Sequence, residues 1–162
     1  MKLRVVRILD GTSVDGPGLR TSIYLAGCDH RCPGCHNPST WPFDAGEDMP
    51  CAELLQRIDD NEQDVTFSGG DPMYQAEALL PLLKELRSRH IGVWLYTGFT
   101  YEEILQAGGA MRHVLDYIDV LVDGPYIERL RDTTLLFRGS SNQRLIDVAA
   151  SLHSNTLKEY TP

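Results

Sequence analysis

Four short apolar runs, separated by stretches of helical period, set the tightest limit on how this chain can fold. They are residues 21–26 (TSIYLA), 64–67, 92–96 and 119–122. Their apolar character is continuous rather than alternating, the pattern of strands covered by helices. Between them, Cys51, Leu54, Leu55 and Ile58 recur at i, i+3, i+4 and i+7, and Leu79, Leu82, Leu83 and Leu86 share one face of a second helix. Such alternation predicts a mostly parallel sheet with right-handed crossovers. The remaining elements are fainter. Residues 3–9 read as an edge strand, 101–106 and 114–118 as helices flanking Gly108-Gly109, and 135–137 as a fifth strand. Residues 143–152 read as a last helix capped by Ser141 or Asn142. Pro50 suits a first helical position, and Pro81 the first turn of the second helix. With 162 residues, the chain falls short of the roughly 250 of an eight-unit barrel. The expected fold is therefore α/β: a partial (β/α) barrel or curved, mostly parallel sheet of four to six strands covered by helices, one domain over residues 1–162.

In such folds ligands bind at the C-terminal ends of the strands. Residues 27–37, 68–72, 96–98 and 123–124 fall there, and the first of these segments holds Cys28, Cys32 and Cys35, spaced C-x3-C-x2-C. A reducing compartment makes so tight a cluster a metal or catalytic site rather than a disulfide framework. One loop with this spacing can wrap an inorganic core. Three thiolates hold three irons of a 4Fe–4S cluster and leave the fourth iron open, as catalytic metal sites keep a free position. The alternative is a zinc staple with His30 or His36 as fourth ligand. Cys51 lies on an apolar helix face and reads as core. Ser68-Gly69-Gly70-Asp71-Pro72 follows the next strand, and its glycines let a ligand approach the backbone. His90, His113, Trp41 and Trp94 read as packing or surface residues.

A net charge of −8 without a Lys/Arg stripe argues against nucleic-acid binding. No apolar run approaches the roughly 20 residues of a membrane span. The opening MKLRVVR is too short and charged for a signal peptide, so a soluble, cytoplasmic protein is expected.

The three cysteines resemble the signature of radical S-adenosylmethionine enzymes, and Ser68–Pro72 resembles that superfamily's glycine-rich motif. Val14-Asp15-Gly16-Pro17-Gly18-Leu19-Arg20 is similar to the segment before the cluster in glycyl-radical-enzyme activases. Further blocks are closer to the activases of anaerobic (class III) ribonucleotide reductase: Cys32-Pro33-Gly34-Cys35, Asn37–Trp41, Trp94–Phe99, Leu121–Gly124 and Arg138–Gln143. Gly34 stands where the wider superfamily often has an aromatic residue, as in that subfamily; Pro125 and the tail beyond Ile146 match nothing in the pattern.

The resemblance implies one 4Fe–4S cluster on Cys28, Cys32 and Cys35. It implies S-adenosylmethionine seated by Gly34, Cys35, His36, Gly69 and Gly70, with no side chain acting as acid or base. The implied reaction is reductive cleavage to a 5′-deoxyadenosyl radical, which takes hydrogen from a glycine of the reductase. An external donor, reduced flavodoxin or a similar carrier, would supply the electron. Activation of another glycyl radical enzyme, or radical chemistry on a small molecule, are the competing readings.

Overall fold

In the computed structural model, which describes residues 1–162, the four apolar runs become the parallel centre of one seven-stranded sheet. The strands are β1 (Lys2–Thr12), β2 (Arg20–Leu25), β3 (Glu47–Pro50), β4 (Asp64–Gly69), β5 (Val93–Tyr96), β6 (Val120–Asp123) and β7 (Arg144–Asp147). Their order is β3-β1-β2-β4-β5-β6-β7. Strands β2, β4, β5 and β6 pair in parallel. The pairs β1–β2, β1–β3 and β6–β7 are antiparallel.

Period-two alternation sorts the side chains of the sheet. Val93 and Leu95 of β5 join a core with Val65, Phe67 and Leu121, whereas Trp94 faces the other way with Val120, Val122 and Leu145. The first face receives the helices: α1 (Cys51–Asn61), α2 (Ala76–Ser88), α3 (Tyr101–Ala107), α4 (Gly109–Val114) and α5 (Val148–Ser154). They press Leu54, Ile58, Leu79, Leu82, Leu83, Leu86, Ile104, Val114 and Val148 into that core. Each buried Leu or Ile contributes about 1.5–3 kcal/mol. The opposite face carries no helix. Trp94 there meets Phe137 and Tyr160 edge-on, and the buried Arg20 guanidinium lies over it.

Several elements differ from the sequence expectation. Residues 3–9 lie inside the sheet, because β3 pairs with the outer side of β1. Pro50 ends β3 and caps α1 instead of opening the helix. A 3₁₀ turn, Pro72–Gln75, leads into α2, so Pro81 sits in the second turn with its ring on the exposed face, and the helix forgoes the bond a residue there would make to Glu77 O. Helix α4 begins at Gly109, ahead of the expected start at Val114. Residues 135–137 form turns, and the edge strand is β7. The last helix is accordingly shorter, and its N-cap is Asp147, which accepts from Ala150 N (3.0 Å). The tail then pairs with β7: Tyr160 N donates to Leu145 O (2.8 Å) and Asp147 N to Lys158 O (2.9 Å).

Candidate functional site

Strand β2 delivers the cysteine loop. Gly27, at φ +101°, turns the chain, and a Cβ there would strike the Phe43 ring. Two backbone bonds close the loop, Gly27 N to Thr40 O (2.8 Å) and Cys28 N to Trp41 O (3.1 Å). Cys28, Cys32 and Cys35 are free thiols and line one cavity of about 120 Å³, together with His30, Trp41, Gly70, Thr97 and Gly98. Burial pushes the Cys28 thiol up to about 11, with the charge of Asp71 adding to the effect. Asn37 N donates to Cys35 Sγ (3.4 Å). Cys51 lies elsewhere, on α1, with its thiol toward Ala78 O of α2.

Gly34, Cys35 and His36 lie against the excursion of residues 125–143. A Cβ on Gly34 would meet Glu128 Oε2 at 2.1 Å, and the His36 ring packs on Tyr126 at 5.1 Å. Cys35 and His36 border a second cavity of about 400 Å³, with Asp15, Tyr96 and Arg138. That volume is in the range of small-molecule sites. The excursion is latched by Gln143, which accepts from Gly139 N (2.9 Å) and donates to Gly124 O (3.1 Å), and by Asn142, which donates to Pro125 O (2.7 Å).

Gly69 and Gly70 bring β4 onto the exit of β2. A Cβ at Gly69 would sit 2.4 Å from Leu25 N, and one at Gly70 would sit 2.6 Å from Gly27 O. Both glycines are therefore required by backbone approach; of the two, Gly70 also lines the cysteine cavity. Asp71 is fully buried. Its Oδ2 accepts from His30 Nε2 (2.7 Å), the Thr97 hydroxyl (2.9 Å) and Gly98 N (2.9 Å), and its Oδ1 from Met73 N (3.0 Å). The bond to Asp71 holds the His30 imidazole above its ordinary pKa. His30 Nε2 is thus committed to a carboxylate rather than free as a metal ligand.

The segment before β2 is tied to the helix-free face. Thr66 donates to Asp15 O (2.9 Å), the Tyr24 hydroxyl donates to the Asp15 carboxylate, and Arg20 donates to Pro17 O (3.2 Å) and Val65 O (2.9 Å). At the end of β6, Gly124 reaches the cysteine cavity. Asp123 instead accepts from Tyr101 N (2.8 Å) and both Nε and Nη2 of Arg144.

Thr97-Gly98 and Gly124 were legible as strand-end turns. Trp41, read as packing, borders the cavity, as do Gln143, which closes the Arg138–Gln143 block, and Tyr126, which carried no sequence signal. The excursion folds these last two back from far along the chain.

A family model described as a 4Fe-4S single cluster domain matches residues 14–146. The anaerobic ribonucleoside-triphosphate reductase-activating protein of Escherichia coli (strain K12) is 38% identical over 140 residues, covering 80% of this chain and 89% of that protein. The protein of that name from Vibrio cholerae serotype O1 is 39% identical over 142 residues, covering 80% and 88%. The one from Enterobacteria phage T4 is 37% identical over 147 residues, covering 86% and 90%. Among solved structures, QueE from Escherichia coli shares the fold at a TM-score of 0.53 and 21% identity, over 62% of this chain and 54% of that one.

Proposed function

The chain belongs to the family of anaerobic ribonucleoside-triphosphate reductase-activating proteins, and on that premise we propose that Cys28, Cys32 and Cys35 hold its 4Fe–4S cluster beside a seat for S-adenosylmethionine. The protein is a radical S-adenosylmethionine oxidoreductase that activates anaerobic ribonucleotide reductase by generating a glycyl radical on it. One observation carries the site assignment. The three thiols, Gly70 and the Thr97-Gly98 turn border one cavity at the C-terminal ends of parallel strands, where open α/β sheets bind ligands.

The donor set fits the cluster. Soft thiolates suit iron–sulfur cores. Three thiols bordering one cavity suit a core in which each takes its own iron. The Asn37 N–H on Cys35 Sγ is a bond of the kind that tunes cluster potential. Cys51, alone on α1, cannot complete a second cluster. When bound, the cluster and S-adenosylmethionine supply a one-electron cleavage that ends in hydrogen abstraction from a glycine of the reductase.

The chain's own residues bind and orient. The backbone of Gly34, Cys35 and His36 and that of Gly69 and Gly70 seat the cofactor, and no side chain acts as acid or base. The electron comes from reduced flavodoxin or a similar carrier. Residues 1–162 work as one domain in the cytoplasm, without nucleic acid. No helix is long and apolar enough to cross a membrane.

EPR of the anaerobically reconstituted, dithionite-reduced protein tests this reading. A 4Fe–4S signal that changes shape on adding S-adenosylmethionine is expected, followed by a glycyl radical on an added reductase. Zinc in place of iron, with no signal, would overturn it.

A further inference from the structure

Backbone bonds join the two stems of the cysteine loop to each other, but its middle has a separate attachment. His30, between Cys28 and Cys32, reaches across to Asp71, 41 positions along the chain. Asp71 in turn takes Thr97 and Gly98 at the end of β5 and Met73 at the turn after β4. One buried carboxylate therefore ties three neighbouring segments of the cavity rim: the cysteine loop, the β4 turn and the β5 turn.

The imidazole is also confined sterically. It meets the Phe99 ring edge-on at 4.5 Å and Tyr74 at 5.7 Å. A Cβ on Gly98 would stand 2.5 Å from His30 Cδ2, so any side chain there displaces the ring. Gly98 is not in the left-handed region, and its lack of a side chain serves this contact.

We propose that His30, held by Asp71 and seated on Gly98, is a positioning residue that fixes the Cys28–Cys32 limb of the loop, and so the placement of the cluster, relative to the ends of β4 and β5. The inference rests on the cluster assignment above. The four donors on Asp71 also make its carboxylate an internal clamp rather than a cofactor contact. Outer-shell partners of this kind typically change metal affinity by 10–100-fold.

The test compares wild type with His30→Ala, His30→Gln and Gly98→Ala after anaerobic reconstitution. Four quantities are read without any reductase: iron content, the EPR line shape of the reduced cluster, the rate of cluster loss in air, and the thermal midpoint of the apoprotein. Glutamine can place an N–H near the position of Nε2, whereas Gly98→Ala moves the ring and leaves both partners present. Expected are a changed line shape and cluster loss about tenfold faster in His30→Ala and Gly98→Ala, near-wild-type behaviour in His30→Gln, and unchanged apoprotein midpoints. Wild-type line shape and loss rate in His30→Ala would overturn the proposal. So would equal damage in His30→Ala and His30→Gln, or cluster loss that only tracks a lowered apoprotein midpoint. A wild type without a 4Fe–4S signal would instead sink the cluster reading itself.

Discussion

Four cysteines divide by surroundings rather than by chemistry. Cys28, Cys32 and Cys35 border one cavity, while Cys51 packs between α1 and α2. Alanine at any of the first three is expected to abolish stable iron binding after reconstitution, measured as iron and sulfide per chain. Cys51→Ala is expected to keep full iron content and to shift stability by about 1 kcal/mol or less in urea unfolding, since a small side chain replaces a small hydrophobe. This division was legible from local sequence, because spacing marks the loop and helical period marks Cys51. The His30–Asp71 bond was not. Each residue has an ordinary local role, as a loop histidine or a turn aspartate, and only the parallel pairing of β2 with β4 brings them together.

At the scale of elements, the apolar strands announced themselves and the polar ones did not. Strand β3 reads Glu-Asp-Met-Pro, with three residues exposed and one half-buried. No hydrophobic pattern can reveal such a strand; its pairing with β1 defines it. Strand β7 was hidden within an expected helix because Leu145, Ile146 and Val148 satisfy either period over so short a stretch. The junction of β6, β7 and α3 has its own dependence on one side chain. Asp123, 1% exposed, holds Arg144 of β7 and the first backbone N–H of α3. Asp123→Ala leaves that buried N–H without its acceptor, while Arg144 keeps its pairing with Glu102, and is expected to cost about 1–3 kcal/mol, read from urea denaturation of the apoprotein.

For the whole molecule, the hydrophobic core stands apart from the site. Its 24 buried residues include none of Cys28, Cys32 and Cys35. Chelation of iron is therefore expected to leave the far-UV circular dichroism and cooperative thermal unfolding in place, whereas a structural metal staple would unfold on losing its metal. The parallel centre, its helical cover and the end of the sheet where the three thiols gather were legible in advance, because each follows from apolar runs and the turns that stop them. What was not legible is how the sheet finishes. Both β1–β2 and β6–β7 are antiparallel, so the repeating strand–helix unit is broken off on either side. A ring of parallel strands closes by adding such units to a parallel edge, and neither flank offers one. A longer chain of this topology would lengthen its loops without completing a circle. The reaction chamber is thus half a vessel by construction. Under the function proposed above, that missing wall would be supplied by the reductase, and docking would then also be the step that seals the chemistry from solvent.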